Sequence, residues 1–244
     1  MFTFLDPERD LSKSRETAER LLKTVPLDET QARLVESLQA LYTAVVSDIL
    51  DKNGFRHQVM SSAIRPLWPG AALAGVASTL QVEPCDASPP AGEEYRLLFK
   101  SIDSLTPGCV LITSQVDSCI WGELMSEAAI LKGGRGIVTD GYVRDTPGIL
   151  SIGFPTFCKG IDCRDILGRG EVTALDVPIV CGGVNVEPGD FVLGDIDGVV
   201  VIPRDAASSV IEEAAEKATA ENLVREALRN GLSVTDAWSK YGVM

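Results

Sequence analysis

Arg144 and Asp145 stand side by side at the end of the segment GGRGIVTDGYVRD, residues 133–145. The planar guanidinium of an arginine matches a carboxylate or an enolate oxygen. An aspartate offers a hard oxygen to Mg²⁺ or Mn²⁺, either directly or through water. Together, the two residue types suit an anionic substrate held beside a divalent ion. The alternative is a surface ion pair in a turn, which contributes little to stability.

A second group of candidates lies in WGELMSEAAILKGG, residues 121–134, which the pattern predicts to be a helix. Gly122 lets another group approach the start of this helix closely, and the free backbone N–H groups there attract an anion such as a substrate carboxylate. Glu123 has two interpretations. Its carboxylate is favoured at a helix N-terminus by the helix dipole, or it holds a water molecule that is bound to a metal.

Two predicted strands deliver these residues to one place. The apolar runs in residues 107–113 and 136–141 are typical of buried strands, and the helix over 121–134 lies between them. The helix start then follows the C-terminal end of the first strand, and the Arg144–Asp145 loop follows the second. If the two strands are parallel, both loops open on the same side of the sheet.

The rest of the chain predicts a single layered α/β domain with flanking helices. A helix over 29–52 ends at Asn53-Gly54, and a long amphipathic helix over 204–231 has Asp205 as N-cap and Gly231 just past its end. The remaining predictions are a short helix within residues 1–28, β runs in 64–82, a proline-rich loop over 83–94, a helix over 95–103, a strand in 154–160 and hairpins in 177–203.

Composition excludes several classes of protein. The net charge of −13 disfavours nucleic-acid binding, because phosphate backbones repel such a surface. No apolar run approaches the roughly 20 residues that span a bilayer. The N-terminus MFTFLDPERD lacks the basic region and apolar core of a signal peptide. The six cysteines form no CxxC pair and favour reduced, mostly buried thiols. We therefore expect a cytoplasmic protein with neither a membrane nor a nucleic-acid partner.

Three other features carry weaker functional interpretations. His57 is the sole histidine, so one chain cannot form a three-histidine zinc site, and NGFRHQ favours a surface loop over a catalytic role. Lys159 follows a predicted strand, where a Schiff-base lysine is one interpretation and an exposed lysine the favoured one. The segment DIDG, residues 195–198, favours a turn over a calcium loop.

Several of these segments, taken together, resemble the RraA-like family. They are PGCVLIT, WGELMSEAAILKGGRGIVTDGYVRD, FPTFCKG and VNVEPGDFVLGDIDGVVVIP, with VVSDILDKNG and IRPLWPGAALAGVAST upstream. The resemblance spans residues 40–232. The family includes the 4-hydroxy-4-methyl-2-oxoglutarate (HMG) / 4-carboxy-4-hydroxy-2-oxoadipate aldolases and the regulators of ribonuclease activity. Residues 1–28 and the segment EPCDASPPAGEEY, residues 83–95, depart from a typical aldolase.

The resemblance implies a layered α/β/α fold of the swivelling-domain type. An N-terminal helical extension, residues 1–28, would precede a catalytic domain over 29–244. It also implies a homo-oligomer, either a trimer or a hexamer built as a dimer of trimers, with sites at the subunit interfaces. The aldolases of the family bind a divalent cation, Mg²⁺ or Mn²⁺, without histidines, which agrees with the lone His57.

The motif positions imply roles for individual residues. Arg144 would hold the pyruvyl group and stabilise its enolate, and Asp145 would ligate the metal. Glu123 would stand near the water on the metal. The backbone amides around Gly122, Glu123, Leu124 and Met125 would bind the pyruvyl carboxylate. A further acid would come from the C-terminal helix of a neighbouring subunit, for which Glu221 is the first candidate and Glu216 the alternative.

The function implied is that of a lyase of the class II aldolase type. Its substrate would be a 4-hydroxy-2-oxo acid such as HMG, cleaved to pyruvate and a second oxo acid. Oxaloacetate decarboxylation would be a side activity, because it passes through the same enolate. Two alternatives remain open. One is a non-catalytic regulator that binds a ribonuclease, and the other is a decarboxylase or lyase of the same fold that acts on another oxo acid.

Overall fold

A computed structural model of the protein describes residues 27–87, 89–90 and 92–243. The predicted N-terminal extension over 1–28 lies outside the described residues, except for Leu27 and Asp28. Asp28 is the N-cap of the first described helix, where its carboxylate accepts a hydrogen bond from the backbone N–H of Gln31 at 2.8 Å. The side chain of Gln31 accepts from the N–H of Asp28 in return, which completes a capping box.

An eight-stranded mixed sheet forms the centre of the molecule, in the order β1-β7-β5-β3-β2-β12-β13, with β9 also paired to β2. Its strands are β1 (Arg65–Pro66), β2 (Leu73–Pro84), β3 (Cys109–Thr113), β5 (Gly136–Thr139), β7 (Thr156–Cys158), β9 (Gly170–Leu175), β12 (Phe191–Asp195) and β13 (Gly198–Ile202). β3 and β5 pair in parallel, with Val110 opposite Gly136. The parallel pairing that places both loops on the same side of the sheet is therefore confirmed.

The central sheet curls until its two ends approach each other. Arg65 in β1 donates from its guanidinium to the backbone carbonyl of Asp197, 2.9 Å away, in the turn between β12 and β13. Residues 58–60 lie along the outer side of β13, where the N–H of Met60 donates to the carbonyl of Val199 at 2.9 Å. The sheet is thus nearly closed.

A second, three-stranded sheet lies beyond the carboxyl ends of the central strands. It consists of β4 (Cys119–Trp121), β6 (Tyr142–Val143) and β8 (Gly160–Ile161), all parallel. Each of these strands continues the chain from a central strand: β4 follows β3, β6 follows β5 and β8 follows β7. A separate hairpin joins β10 (Ile179–Cys181) to β11 (Val184–Val186).

Seven helices flank the sheets in the described part of the chain. They are α1 (Glu29–Gln39), α2 (Thr43–Lys52), α3 (Arg96–Asp103), α4 (Glu123–Leu131), α5 (Thr146–Ile152), α6 (Ala207–Arg229) and α7 (Val234–Tyr241). The mixed α/β architecture with flanking helices, the helix near 95–103 and the hairpins of 177–203 are confirmed. The sequence did not predict β9, α5 or α7.

The predicted single helix over 29–52 is wrong, because α1 and α2 are separate. The chain leaves the helix after Gln39, and Tyr42 is extended at the start of α2. The carboxylate of Asp195 accepts hydrogen bonds there from the backbone N–H and the hydroxyl of Thr43, at 2.8 and 2.7 Å. Asp195, the last residue of β12 and the first of the DIDG segment, therefore caps the start of α2, which begins as a separate helix.

The predicted start of the long helix is also wrong in detail. Arg204–Ala206 form a single 3₁₀ turn, and α6 begins after Ala206 without a side-chain cap. Asp205 is therefore not the N-cap, and its carboxylate lies 3.9 Å from the guanidinium of Arg204 instead. The end is as expected, since Gly231 follows the helix with a φ of 90°.

Buried side chains cover both faces of the central sheet. Leu111 of β3 packs into the cluster beneath α1, α2 and α6, whereas its neighbours Val110 and Ile112 pack into the cluster beneath the β10–β11 hairpin. This alternation is what a strand between two apolar layers requires. Within the described residues, no helix has the length and apolar character needed to cross a membrane.

Candidate active site

The carboxyl ends of β4, β6 and β8 meet, and each delivers polar groups to one edge. The backbone N–H of Arg144, just after β6, donates to the carbonyl of Trp121 at 3.0 Å. The N–H of Asp162, just after β8, donates to the carbonyl of Val143 at 3.0 Å. The three loops that follow these strands are therefore hydrogen-bonded side by side. They lie beyond the carboxyl ends of parallel strands, where α/β proteins commonly bind ligands.

Gly122 forms the point of contact between the first two loops. A Cβ atom on this residue would lie 2.5 Å from Oδ2 of Asp145, so only a glycine admits the carboxylate in this position. Behind it, the indole of Trp121 donates to the hydroxyl of Ser126 at 2.7 Å, and that hydroxyl donates to the carbonyl of Gly122 at 3.0 Å. This buried network fixes the start of α4. The predicted close approach at Gly122 is thus present, with Asp145 as the group that approaches.

The guanidinium of Arg144 lies between two carboxylates. Its Nε is 3.9 Å from Oδ2 of Asp145, and one terminal nitrogen is 3.6 Å from Oδ2 of Asp165. Both distances exceed the range of a good hydrogen bond. The charge is therefore oriented by its neighbours, while its N–H donors form no hydrogen bond with any described side chain.

Asp145 has a strained backbone, with a φ of 55° at the N-cap of α5. Aspartate commonly caps a helix with its side chain, yet this carboxylate makes no capping bond and remains 51% exposed. A non-glycine residue in the left-handed region costs free energy, and such strain concentrates at functional sites. The backbone here directs the carboxylate towards Gly122 and Arg144 instead of towards its own helix.

These groups line a cleft of about 230 Å³. Its charged residues are Arg144, Asp145 and Asp165, and the rest of its wall is formed by Tyr95, Leu98, Phe99, Cys119, Ile120, Trp121, Gly122, Leu124, Met125 and Ile166. Burial raises the pKa of the Cys119 thiol to about 11, so this cysteine is not a thiolate at neutral pH. The predicted residues Gly122, Leu124, Met125, Arg144 and Asp145 therefore meet in one place.

Two residues of the cleft were not predicted from the sequence. Asp165 lies in the loop after β8, and the hydroxyl of Tyr95 donates to its Oδ2 at 2.6 Å. This hydrogen bond, followed by burial, raises the pKa of Tyr95 to about 12, so the phenol stays a donor at neutral pH. The sequence contained a signal for Asp165, because Asp162 and Asp165 follow β8 in the same way that Asp145 follows β6.

Glu123 lies at the start of α4 but is not part of the cleft wall. A Cβ atom on Gly148 would lie 2.5 Å from its carboxyl carbon, so Glu123 packs against the first turn of α5. Gly148 follows Asp145 by three residues, and this places Glu123 one helical turn from the aspartate. The position next to a second helix N-terminus also favours a negative charge.

The two acids predicted on the long helix differ in their surroundings. Glu221 accepts a hydrogen bond from the hydroxyl of Tyr42, and its other oxygen lies 3.6 Å from the ammonium of Lys217. Glu216 is exposed on the same helix. Neither residue lines this cleft. Their predicted role in a neighbouring subunit stays a prediction.

The donors at the cleft fit a magnesium-like ion. The described residues include no group of three or more His, Cys, Asp or Glu side chains arranged to hold a metal. Mg²⁺ keeps several waters and uses one or two carboxylates together with the substrate, so it does not need such a group. Asp145 offers one hard oxygen beside an open cleft. This fits Mg²⁺ or Mn²⁺ and does not fit a closed zinc site.

Lys159 has a structural role in the fold. Lys159 is not the exposed lysine that the sequence favoured, because its ammonium is half-buried and lies 2.5 Å from Oδ1 of the buried Asp140. The other oxygen of Asp140 accepts from the N–H of Gly182 at 2.9 Å. His57 is exposed in a loop, as expected. All six cysteines are free thiols, and four of them are buried.

Comparison with known proteins adds evidence on ancestry. A profile of the RraA-like family, described as Aldolase/RraA, matches residues 43–201. DlpA of Legionella pneumophila is 29% identical over 216 residues, which are 87% of this chain but only 34% of DlpA. The chain therefore spans about a third of the length of that relative. A protein of Halalkalibacterium halodurans, named "Putative 4-hydroxy-4-methyl-2-oxoglutarate aldolase", is 29% identical over 87% of this chain and 96% of its own length.

A solved structure resembles the fold closely. RraAS2 of Streptomyces coelicolor superimposes with a TM-score of 0.72 and 30% sequence identity, covering 83% of this chain and all of that one. It is described as an unusual member of the RNase ES inhibitor RraA protein family. The relatives therefore include one named for an enzymatic activity and one named for inhibition of a ribonuclease.

Proposed function

The chain belongs to the RraA-like family, and we propose that it is a divalent-metal-dependent aldolase that cleaves a 4-hydroxy-2-oxo acid to pyruvate and a second oxo compound. HMG is the example that the relatives suggest. The family assignment confirms the resemblance seen in the sequence, and the RraA-like fold is confirmed with it. One observation carries the proposal: Arg144 and Asp145 meet the start of α4 in a single cleft.

The chain binds the substrate through its pyruvyl end. The first turn of α4 has no side-chain cap, and its backbone N–H groups at Leu124 and Met125 receive the carboxylate. The guanidinium of Arg144 donates to the C2 oxygen, which becomes negative as the enolate develops. A donor that is already oriented towards this oxygen stabilises the transition state more than the ground state.

Cleavage breaks the bond between C3 and C4. A water molecule would take the proton of the C4 hydroxyl, supported by Glu123, which stands behind the cleft wall, and by an acid on α6 of a neighbouring subunit. The electron pair of the broken bond remains on C3, and protonation of C3 then gives pyruvate. Glu216 is exposed and is available to reach a neighbour, whereas Glu221 already accepts a hydrogen bond from Tyr42.

A divalent ion held by Asp145 would polarise the C2 carbonyl as a Lewis acid and complement Arg144. The fit of this hard oxygen donor to Mg²⁺ or Mn²⁺ supports the choice of ion. Oxaloacetate decarboxylation requires the same stabilised enolate, so we propose it as a second activity of the site.

We further propose that the protein works as a homo-oligomer, a trimer or a hexamer, with the cleft at a subunit boundary. Leu124 supports this, because its side chain is 75% exposed on the rim of the cleft. Phe99 on the same rim is 45% exposed. Exposed large apolar side chains grouped at one place on the surface are typical of a surface that another subunit covers.

The proposal is tested by pyruvate release from HMG and from oxaloacetate with Mg²⁺ or Mn²⁺, before and after treatment with EDTA. We expect release that EDTA abolishes and added metal restores. Arg144→Ala should lower kcat/KM by about 10²–10³-fold, the range for loss of one preorganised donor to an oxyanion. Asp145→Ala should lower it similarly and weaken the dependence on metal.

Arg164→Ala is the matched control. Arg164 lies in the neighbouring loop and pairs with Asp162 at 2.6 Å, outside the cleft. We expect this variant to keep its activity. Activity that survives complete removal of metal would contradict the proposal. Silence on every 2-oxo acid, together with binding to a ribonuclease, would favour a regulator, the function named for the relative in Streptomyces coelicolor.

A further inference from the structure

The charges in the cleft limit how many carboxylates a substrate can carry. Arg144 is the sole cation among the described residues that line it, and two carboxylates, Asp145 and Asp165, stand beside that cation. In the proposed function, on which this inference rests, the pyruvyl end already occupies Arg144 and the start of α4. Asp145 and its divalent ion are then engaged with the pyruvyl end as well, so a second carboxylate would meet Asp165 without a matching cation in the cleft wall, on a protein of net charge −13.

Asp165 is held in place by a hydrogen bond from a residue 70 positions earlier in the chain. Tyr95 donates its hydroxyl hydrogen to Oδ2 of Asp165, so this donor is already used and does not serve a second substrate carboxylate. Tyr95 itself has a φ of 61°, a strained conformation for a tyrosine, at the start of α3. It ends the proline-rich segment 83–95, in which the sequence departs from a typical aldolase.

The rest of the cleft is apolar. Leu98 and Ile120 are buried, at 4% and 3% exposure, and Phe99 and Met125 complete this part of the wall. The ring of Phe99 packs against that of Tyr95, with their centroids 5.4 Å apart. Such a wall favours a hydrocarbon substituent, since each methylene that it buries raises affinity about fourfold.

We propose that the cleft prefers 4-hydroxy-2-oxo acids with a single carboxylate and an apolar substituent on C4, and that Asp165, held by Tyr95, disfavours a second carboxylate, so that HMG and oxaloacetate are slower substrates of the same site. For such a substrate the C3–C4 bond breaks with its electron pair left on C3. The C4 hydroxyl loses its proton, and C4 leaves as the carbonyl carbon of an apolar aldehyde. The enolate takes up a proton at C3 and leaves as pyruvate, so atoms and charge balance.

The catalytic test compares 4-hydroxy-2-oxoheptanoate with HMG on the full chain with Mg²⁺, with pyruvate release as the readout. We expect kcat/KM to be about tenfold or more higher for the heptanoate, the ratio that follows when a carboxylate is left unpaired. Asp165→Asn should shift the ratio of the two kcat/KM values towards HMG. Equal or better cleavage of HMG by the unmodified chain would overturn the inference.

Asp162→Asn is the matched control for Asp165→Asn. Asp162 lies three residues earlier in the same loop, but it pairs with Arg164 and does not line the cleft. We expect this variant to keep the substrate ratio of the unmodified chain. A ratio that shifts equally in both variants would show that the loop as a whole, and not the Asp165 carboxylate, sets the preference, and would refute the assigned role.

A binding measurement separates this inference from the aldolase proposal. We would titrate 4-methyl-2-oxopentanoate and 2-oxoglutarate into the Mg²⁺-loaded protein by calorimetry, since neither compound can undergo the cleavage. We expect tighter binding of the first, and a smaller difference between the two in Asp165→Asn. If neither hydroxy acid releases pyruvate, the aldolase proposal fails, while this comparison still decides the preference. Tighter binding of 2-oxoglutarate, or no binding of either compound, would refute it.

Discussion

Gly122 decides where the Asp145 carboxylate can stand, because a Cβ atom on it would lie 2.5 Å from that oxygen. We expect Gly122→Ala to displace the carboxylate and to lower kcat/KM by as much as about 10²-fold, since small misplacements in a site have effects of this size. Its φ of −147° suits any residue, so the midpoint of thermal unfolding should change little. Pyruvate release and calorimetry would measure the two effects.

Gly70→Ala is the control for that substitution, because its added Cβ atom would make only ordinary contacts, at 3.5 Å from Trp68. It should leave the rate of pyruvate release unchanged. If Gly122→Ala retained full activity, the position of Asp145 beside the start of α4 would not matter for the reaction.

At this scale, the sequence predicted those site residues that lie close together in the chain or carry a motif. Gly122, Arg144 and Asp145 belong to this group. Asp165 and Tyr95 do not, because their contact joins positions 70 residues apart and depends on where β8 and α3 end. The position of Asp165 after a strand was a signal for that residue alone, but spacing along the chain gives no information on its contact with Tyr95.

Among the elements, α6 is held to the first two helices by polar contacts at its middle. Tyr42, between α1 and α2, donates its hydroxyl hydrogen to Glu221, and Lys217 pairs with Asp48 of α2. Burial, followed by the bond to Glu221, raises the pKa of Tyr42 to about 12. The folded protein therefore holds this proton more tightly than the unfolded chain, whose tyrosines titrate near pH 10.

The sign of the pH dependence follows from this difference. The stabilisation from Tyr42 is complete below pH 10, and it is lost as the pH rises through about 12. We expect Tyr42→Phe to lower the free energy of unfolding by about 1–2 kcal/mol at pH 8 and to make its decline above pH 10 shallower. Urea unfolding at a series of pH values would measure both effects.

Tyr241→Phe on α7 provides the comparison, because the Tyr241 hydroxyl makes no hydrogen bond to a described residue. It should leave the free energy of unfolding at pH 8 unchanged. An unaltered pH dependence in Tyr42→Phe would argue against the bond to Glu221 and would leave that acid available for a neighbouring subunit.

Most elements were predictable from periodicity, and those that were not depend on distant contacts. The break between α1 and α2 exists because Asp195, 152 residues away, caps Thr43. The short strands β4, β6 and β8 each contain only two or three residues, too few for a pattern to register, yet they bring the site together. The parallel pairing of β3 and β5 was the condition on which the shared loop edge depended, and the structure meets it.

On the scale of the whole molecule, the exposed apolar rim of the cleft predicts assembly. We expect the unmodified chain to run as a trimer or hexamer in size-exclusion chromatography with light scattering. Leu124→Glu should shift it towards smaller species, because the substitution places a charge in the surface that a second subunit would cover. Ile196→Glu, at an exposed position in the β12–β13 turn, should keep the assembly of the unmodified chain. A monomeric unmodified chain would contradict the proposed oligomer.

The approach of β1 to the β12–β13 turn, and the cover that residues 58–60 give to β13, have a consequence for how copies of the protein meet. Unpaired strand borders are templates on which foreign chains add and from which fibrils grow. Here the main-chain donors of the outermost strand are already engaged, as in the bond from Val201 to Gln58 at 2.9 Å. Along this border a second copy can therefore be met only by side chains, which removes one template for fibril growth.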